Sequence, residues 1–243
     1  MGEHDQREEG LRAPGAGGSC FSRIHAHIPL PFLKKKIGLF LERSINPEIY
    51  FNFRALEKTS GDEIAKMAAA IADGGLRATV HGPFYDLSPG AIDSAFRSLT
   101  INRMTTALEK SIPFSPDCVV FHPGYDPLRF AEFADVWLRN SLRTWKEIIP
   151  AARRLPGTWI LLENIFEREP GTLAKLLAGL PSPPFGFCFD TGHFNLFSDV
   201  PLSDWMDALG PHLREVHLHD NDGGSDQHLP PGRGTVDFDQ LFR

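Results

Sequence analysis

The chain has 243 residues, with 25 Lys+Arg against 31 Asp+Glu for a net charge of −6, and is 42% hydrophobic and 23% charged. That balance excludes wholesale disorder and fits one large domain, and no run approaches the ~18 apolar residues a membrane span needs. The mild acidity disfavours DNA as a partner, because phosphate backbones are held by clustered Lys and Arg.

Residues 1–20 read as a flexible tail, polar and glycine-rich with almost nothing apolar to bury. Its first ten residues, MGEHDQREEG, are acidic, whereas a signal peptide starts basic and then turns apolar. Cys20, Cys118 and Cys188 are an odd number without metal-finger spacing, so a reducing, cytoplasmic compartment is expected.

From residue 21 short apolar runs alternate with longer amphipathic segments. The runs are IHAHI (24–28), EIYFNF (48–53), LRATVH (76–81), CVVFH (118–122), TWILLE (158–163), FGFCFD (185–190) and REVHLH (214–219). Their near-continuous apolarity and their β-branched and aromatic residues predict buried parallel strands.

Helical signals lie between them. Ser60 with Glu63 forms a capping box, Ile64, Met67, Ala68 and Ile71 share a face, and Gly74-Gly75 ends the segment. Ser88-Pro89 predicts the next start, with Ile92, Phe96 and Leu99 as its core stripe. Phe130, Phe133, Ala134, Trp137, Ser141, Leu142, Trp145 and Ile148 repeat every three to four residues, and Pro150 closes that run. Strand–helix alternation implies a parallel sheet with helical crossovers, and an α/β barrel of the TIM (β/α)8 type needs eight strands. Seven are counted before Arg243, so the expectation is a TIM-type barrel, spanning 21–243, that lacks its last strand here.

His81, His122, Glu163, Asp190 and His217 stand at or near the C-terminal ends of these runs, 41, 41, 27 and 27 residues apart. A parallel barrel gathers all strand C-termini on one face, so the five side chains should converge at one mouth. A carboxylate ending a buried strand needs compensation, and His with carboxylate is a ligand set for zinc, manganese or iron. A lone residue of this kind is equally a hydrogen-bonded strand end; it is the constellation that points to metal. His193 follows Asp190 by three residues, and the glycine-rich loop HLHDNDGGSDQHLPPGRG (217–234) adds Asp226 and His228. Loops of that length in a compact domain are usually functional.

The motifs HGPF (81–84), FHPG (121–124), LEN (162–164), FDTGH (189–193), HLHDN (217–221) and DQHLPPGRG (226–234) resemble the xylose-isomerase-like TIM-barrel superfamily. That superfamily includes sugar-phosphate isomerases and epimerases and nucleases of the endonuclease IV type. Its isomerase branch implies one divalent ion held by Glu163, Asp190, His217 and a last-strand glutamate. The nuclease branch implies three zinc ions. His81, His122 and Glu163 would hold the first; Glu163, Asp190, His217 and the last-strand glutamate the second; His193, Asp226 and His228 the third. Eight of these nine positions are matched, and the ninth falls beyond Arg243.

The resemblance therefore implies a metal-dependent sugar or sugar-phosphate isomerase or epimerase, with one to three zinc or manganese ions. Glu163 and His219 are its catalytic candidates, and His25, His27, Asn164 and Arg233 its substrate-binding candidates. Arg233 stands where the family commonly has an acidic residue, and a guanidinium there would suit a phosphate or carboxylate. A multi-zinc phosphodiesterase is the alternative, acting on an apurinic site or a small molecule, and a non-catalytic metal-binding barrel is the third reading. A homo-oligomer is expected by analogy of fold alone.

Overall fold

The computed structural model describes residues 23–242, so the tail read over 1–20, with Cys20, lies outside the described residues. A strand overlaps each of the seven apolar runs: β1 (His25–Pro29), β2 (Asn46–Tyr50), β3 (Thr79–His81), β4 (Cys118–Phe121), β5 (Trp159–Glu163), β6 (Phe185–Asp190) and β7 (Leu213–His217). They pair side by side, all parallel, in chain order. The register aligns their C-terminal ends: Tyr50 lies beside His81, and Asp190 beside His217. Among the described residues β7 and β1 are not paired with each other. The sheet is nevertheless curled around an interior, because side chains of β2 and β4 meet those of β7 across it: Glu48 reaches His217, and Cys118 donates to Glu215.

The helices pack on the outside of this wall for the reasons the sequence suggests. Helix Gly61–Asp73 starts at Ser60, whose hydroxyl accepts from Glu63 N while the Glu63 carboxylate accepts from Ser60 N. Its buried face is Ile64, Met67, Ala68 and Ile71, and Gly75 leaves it at φ +67°. Helix Ala134–Glu147 buries Trp137, Ser141 and Trp145, with Ile148 just beyond its end. Trp145 meets Phe121 of β4 edge-on at 6.0 Å, an aromatic contact that ties the helix to the sheet. Phe133 departs from the expected stripe and is about half exposed.

The helix expected from Ser88-Pro89 begins later, at Ser94–Ser111, with the Asp93 carboxylate accepting from Ala95 N at 2.8 Å. Ser88 N instead donates to the Thr100 hydroxyl, and Gly90 packs so close to the Trp137 indole that a Cβ would stand 2.2 Å from it. The chain is thus pinned as loop through residues 88–93. The helix buries Thr100, Met104, Ala107 and Leu108, while Ile92, Phe96 and Leu99 are about half exposed. The expected stripe is therefore on the wrong face, and Phe96 lines the mouth of the cavity.

The main core lies between helices and sheet, built on residues such as Leu33, Ile49, Val119, Leu162, Phe187 and Trp205. The inside of the wall holds a small apolar cluster of Cys118, Val120, Leu161 and Cys188, with Trp159 packed against it. Above that cluster the cavity carries the histidines and carboxylates of the strand ends.

Candidate metal centre

The strand ends converge as the parallel topology requires. Glu163, ending β5, is the hub: its carboxylate oxygens lie 3.1 Å from His81 Nε2, 3.4 Å from His122 Nε2, 3.3 Å from His193 Nδ1 and 3.2 Å from His217 Nδ1. Asp190, ending β6, caps helix Thr191–Phe197 by accepting from His193 N at 2.7 Å. Its oxygens also face His217 Nδ1 at 3.8 Å and His219 Nε2 at 2.9 Å. Because the cap turns the chain at once, His193 comes back over the same mouth, with Nε2 3.6 Å from Asp226.

Electrostatics follow from burial and crowding. Burial alone would raise the Glu163 pKa, but His217, His122 and His193 overcome it and hold the carboxyl well below its usual range. Burial pulls His122 down to about 4 despite Glu163. For His193 burial is outweighed by Asp226, Glu163 and Asp190, which push it up to about 11. For His217 burial is outweighed by Cys188, Glu48 and Glu163, and its pKa stands well above the ordinary value. The pKa of Asp226 is drawn down to about 2, chiefly by its hydrogen bond with His193.

The donor chemistry fits a divalent ion. The His81 Nδ1 proton is directed at Gly82 O, 2.8 Å away, and the His193 Nδ1 proton at Asn164 O, 3.1 Å away. Backbone carbonyls of this kind set the ring orientation and tautomer of metal-binding histidines. His81 is thereby left with Nε2 turned to Glu163, and His193 with Nε2 turned to Asp226. His219 Nδ1 is buried and has no hydrogen-bond partner. Ligand atoms within 4.8 Å of one another occur in five groups among the described residues: His81–His122–Glu163, Glu163–Asp190–His217, Asp190–His193–His219, His219–Asp226–His228 and Glu48–Glu215–His217. The first two are the sets the sequence suggests. In the outer groups His219 joins Asp226 and His228, its ring stacked on that of His228 at 4.0 Å.

The other candidates are distributed unevenly. His25 and His27 both line the cavity, but His25 sits a layer below the mouth, 4.0 Å from Asp117, while His27 stacks on Tyr50. Asn164 is not available to substrate: it is buried, its amide donates to Asp190 O at 3.0 Å, and its carbonyl accepts from Asp190 N at 2.8 Å. It positions Asp190 instead. Arg233 is exposed on the loop that follows β7 and is not among the residues lining the cavity.

Two carboxylates escaped the sequence reading. Glu48 in β2 and Glu215 in β7 both point inward, and both line the cavity. Glu215 precedes His217 by two residues, so strand periodicity places both on one face. A glutamate inside a buried strand was the available signal in each case.

The loop that carries Asp226 and His228 is stapled from below. The fully buried Asp220 carboxylate accepts from the backbone N–H groups of Asn221, Gly232, Gly234 and Val236 at 2.8–3.0 Å. Gly234 comes so close that a Cβ would stand 2.1 Å from Asn221 O. Gly232 adopts φ +82°, in the left-handed region that favours glycine.

The cavity is large, about 1710 Å³. One wall is aromatic, with Phe84 stacked between Tyr50 at 5.2 Å and His122 at 4.4 Å. No helix among the described residues is long and apolar enough to cross a membrane.

Residues 46–243 match the family model described as xylose isomerase-like TIM barrel. The uncharacterized protein MJ1311 of Methanocaldococcus jannaschii is 31% identical over an alignment of 170 residues that covers 67% of this chain and 58% of that protein. The chain thus spans a little under six-tenths of this relative's length. Among solved structures, the TTHB071 protein from Thermus thermophilus, soaked with ZnCl2, superposes with a TM-score of 0.76 at 25% identity, covering 90% of this chain and 86% of the other. A D-tagatose 3-epimerase-like protein does so with a TM-score of 0.68 at 26% identity, covering 80% and 75%. The chain belongs to the xylose isomerase-like TIM-barrel family.

Proposed function

We propose that this chain carries the site of a divalent-metal-dependent isomerase or epimerase acting on a small sugar or sugar phosphate. The observation that carries the reading is Glu163, a buried strand-end carboxylate with the imidazoles of His81, His122, His193 and His217 all within 3.4 Å. Similarity to a D-tagatose 3-epimerase-like protein supports the reaction class. A bound zinc or manganese ion would polarise adjacent carbonyl and hydroxyl oxygens of the substrate and so acidify the C–H between them.

Glu163, Asp190 and His217 would hold that ion, with His81 and His122 bracing Glu163 from the other side. With its Nε2 proton directed at Asp190, His219 keeps a bare Nδ1 that can accept a proton at the cavity wall. Tyr50 and Phe84 make one side of the cavity aromatic, an apolar surface on which the C–H side of a sugar can lie. The basic residues lining the cavity are Arg23, Arg77, Arg129 and Arg214. Only Arg129 follows the C-terminal end of a strand. A mouth with a single arginine suits a sugar better than a nucleic acid backbone, which is held by clustered Lys and Arg.

A multi-zinc phosphoesterase is the second reading. Asp226 and His228, 3.1 Å apart beside His219, favour it because they add donors beyond what one ion needs. Elemental analysis of natively purified protein separates the two. One ion per chain, with turnover of keto- or aldo-sugars, supports the isomerase; two or three zinc ions, with phosphodiester hydrolysis, support the phosphoesterase. Stable metal uptake without turnover of either substrate class would leave a binding barrel.

A further inference from the structure

Glu48 has no part in the ligand sets suggested by the family resemblance, yet it is among the most constrained groups in the interior. It sits in β2, opposite β7, and is buried, with its side chain only 8% exposed. Its Oε1 faces His217 Nε2 at 3.0 Å, and its Oε2 faces His27 Nδ1 at 3.4 Å. Oε1 and His217 Nε2 are out of line for an ideal hydrogen bond, and neither has any other hydrogen-bond partner. On its other edge the His217 ring presents Nδ1 to Glu163 and Asp190. The imidazole is therefore clamped between carboxylates, one on Nε2 and two on Nδ1.

We propose that Glu48 is the positioning residue of the site, gripping His217 through Nε2–H so that the Nδ1 lone pair is delivered to the ion held with Glu163 and Asp190. This rests on reading those three residues as metal ligands. A histidine ligand almost always donates its second N–H to a carboxylate or carbonyl, which sets the ring orientation and strengthens the ligand. His81 and His193 have backbone carbonyls for that purpose; His217 has Glu48. Nearby Glu215 completes a donor group with Glu48 and His217. Its carboxyl, however, is engaged by the Cys118 thiol. That leaves Glu48 as the carboxylate that faces Nε2.

The test compares the full chain with Glu48→Gln, which keeps an acceptor, and Glu48→Met, which fills the space without one. Zinc and manganese affinity would be measured by competition titration, stoichiometry by elemental analysis, and the His217 ring protons by nitrogen-15 NMR of the metal-free protein. The expected result is a loss of affinity of about 10- to 100-fold in Glu48→Met, a smaller loss in Glu48→Gln, and unchanged stoichiometry. An exchange-protected Nε2–H signal should be present in the wild type and lost in Glu48→Met. Should the methionine variant fail to fold, the glutamine variant carries the comparison. Unchanged affinity in both variants overturns the proposal. So does the loss of a whole ion, which would make Glu48 a direct ligand. If the wild type takes up neither metal, the metal reading itself fails; the ring-proton spectrum then judges Glu48, and absence of a protected Nε2–H overturns its role.

Discussion

Glu163 Oε1 lies 3.2 Å from His217 Nδ1, although the two residues stand two strands apart in the sheet. Only the curl of the parallel wall brings them together, and the same curl draws in His81 and His122 from β3 and the end of β4. Removing Glu163 should therefore undo the whole cluster. Glu163→Ala is expected to abolish metal retention after dialysis, read by elemental analysis. Wild-type metal content in that variant would rule out the site.

The two free cysteines among the described residues are buried in β4 and β6, Cys118 against Glu215 and Cys188 in the small interior cluster. Neither belongs to a group of converging ligand atoms. Cys118→Ser and Cys188→Ser should keep the wild-type ion count while losing about 1–3 kcal/mol of stability for burying a poorly paired hydroxyl. Loss of metal from a folded serine variant would mean the ligands are misassigned.

Asp220 governs the loop that presents Asp226 and His228. Asp220→Ala strands four backbone N–H groups that now donate to its carboxylate. The cost should be at least that of one hydrogen bond to a charged group, about 1.5–3 kcal/mol, and residues 222–236 should become the first site of limited proteolysis. Gly234→Ala should do the same, because its Cβ has no room beside Asn221 O. A loop as protease-resistant as wild type in both variants would contradict the staple.

Glu167 is buried beside the site, accepting from Ile165 N at 2.7 Å through one oxygen and leaving the other without a partner. Burial pushes its pKa from 4.5 up to about 7. A raised folded-state value means that its contribution to stability is complete below the unfolded pKa and is lost as pH rises through about 7. Metal-free wild type should therefore lose more stability between about pH 5 and about pH 8 than Glu167→Gln, which still accepts from Ile165 N but does not titrate. Thermal melts resolve this, since 1 kcal/mol moves the midpoint by about 2–4 °C at this size. Parallel pH profiles would disprove it.

The sequence alone determined the wall of the barrel and the residues that end its strands. Apolar runs of strand length, separated by capped amphipathic segments, admit few arrangements other than parallel crossovers. A polar residue closing such a run must then appear at the common mouth, as His81, Glu163, Asp190 and His217 do. Tertiary structure decided what local pattern does not encode. The stripe of Ile92, Phe96 and Leu99 fits a helix face well, but which face meets the sheet depends on the loop pinned by Ser88 and Gly90. Asn164 looks like a site residue until both ends of its amide are found on the Asp190 backbone. Glu48 looks like the polar start of a run until the curl of the sheet sets it against His217. In each case the deciding contact comes from residues far away in the chain. Strand periodicity says which way a side chain points, and only the curled geometry of the wall says what it meets there.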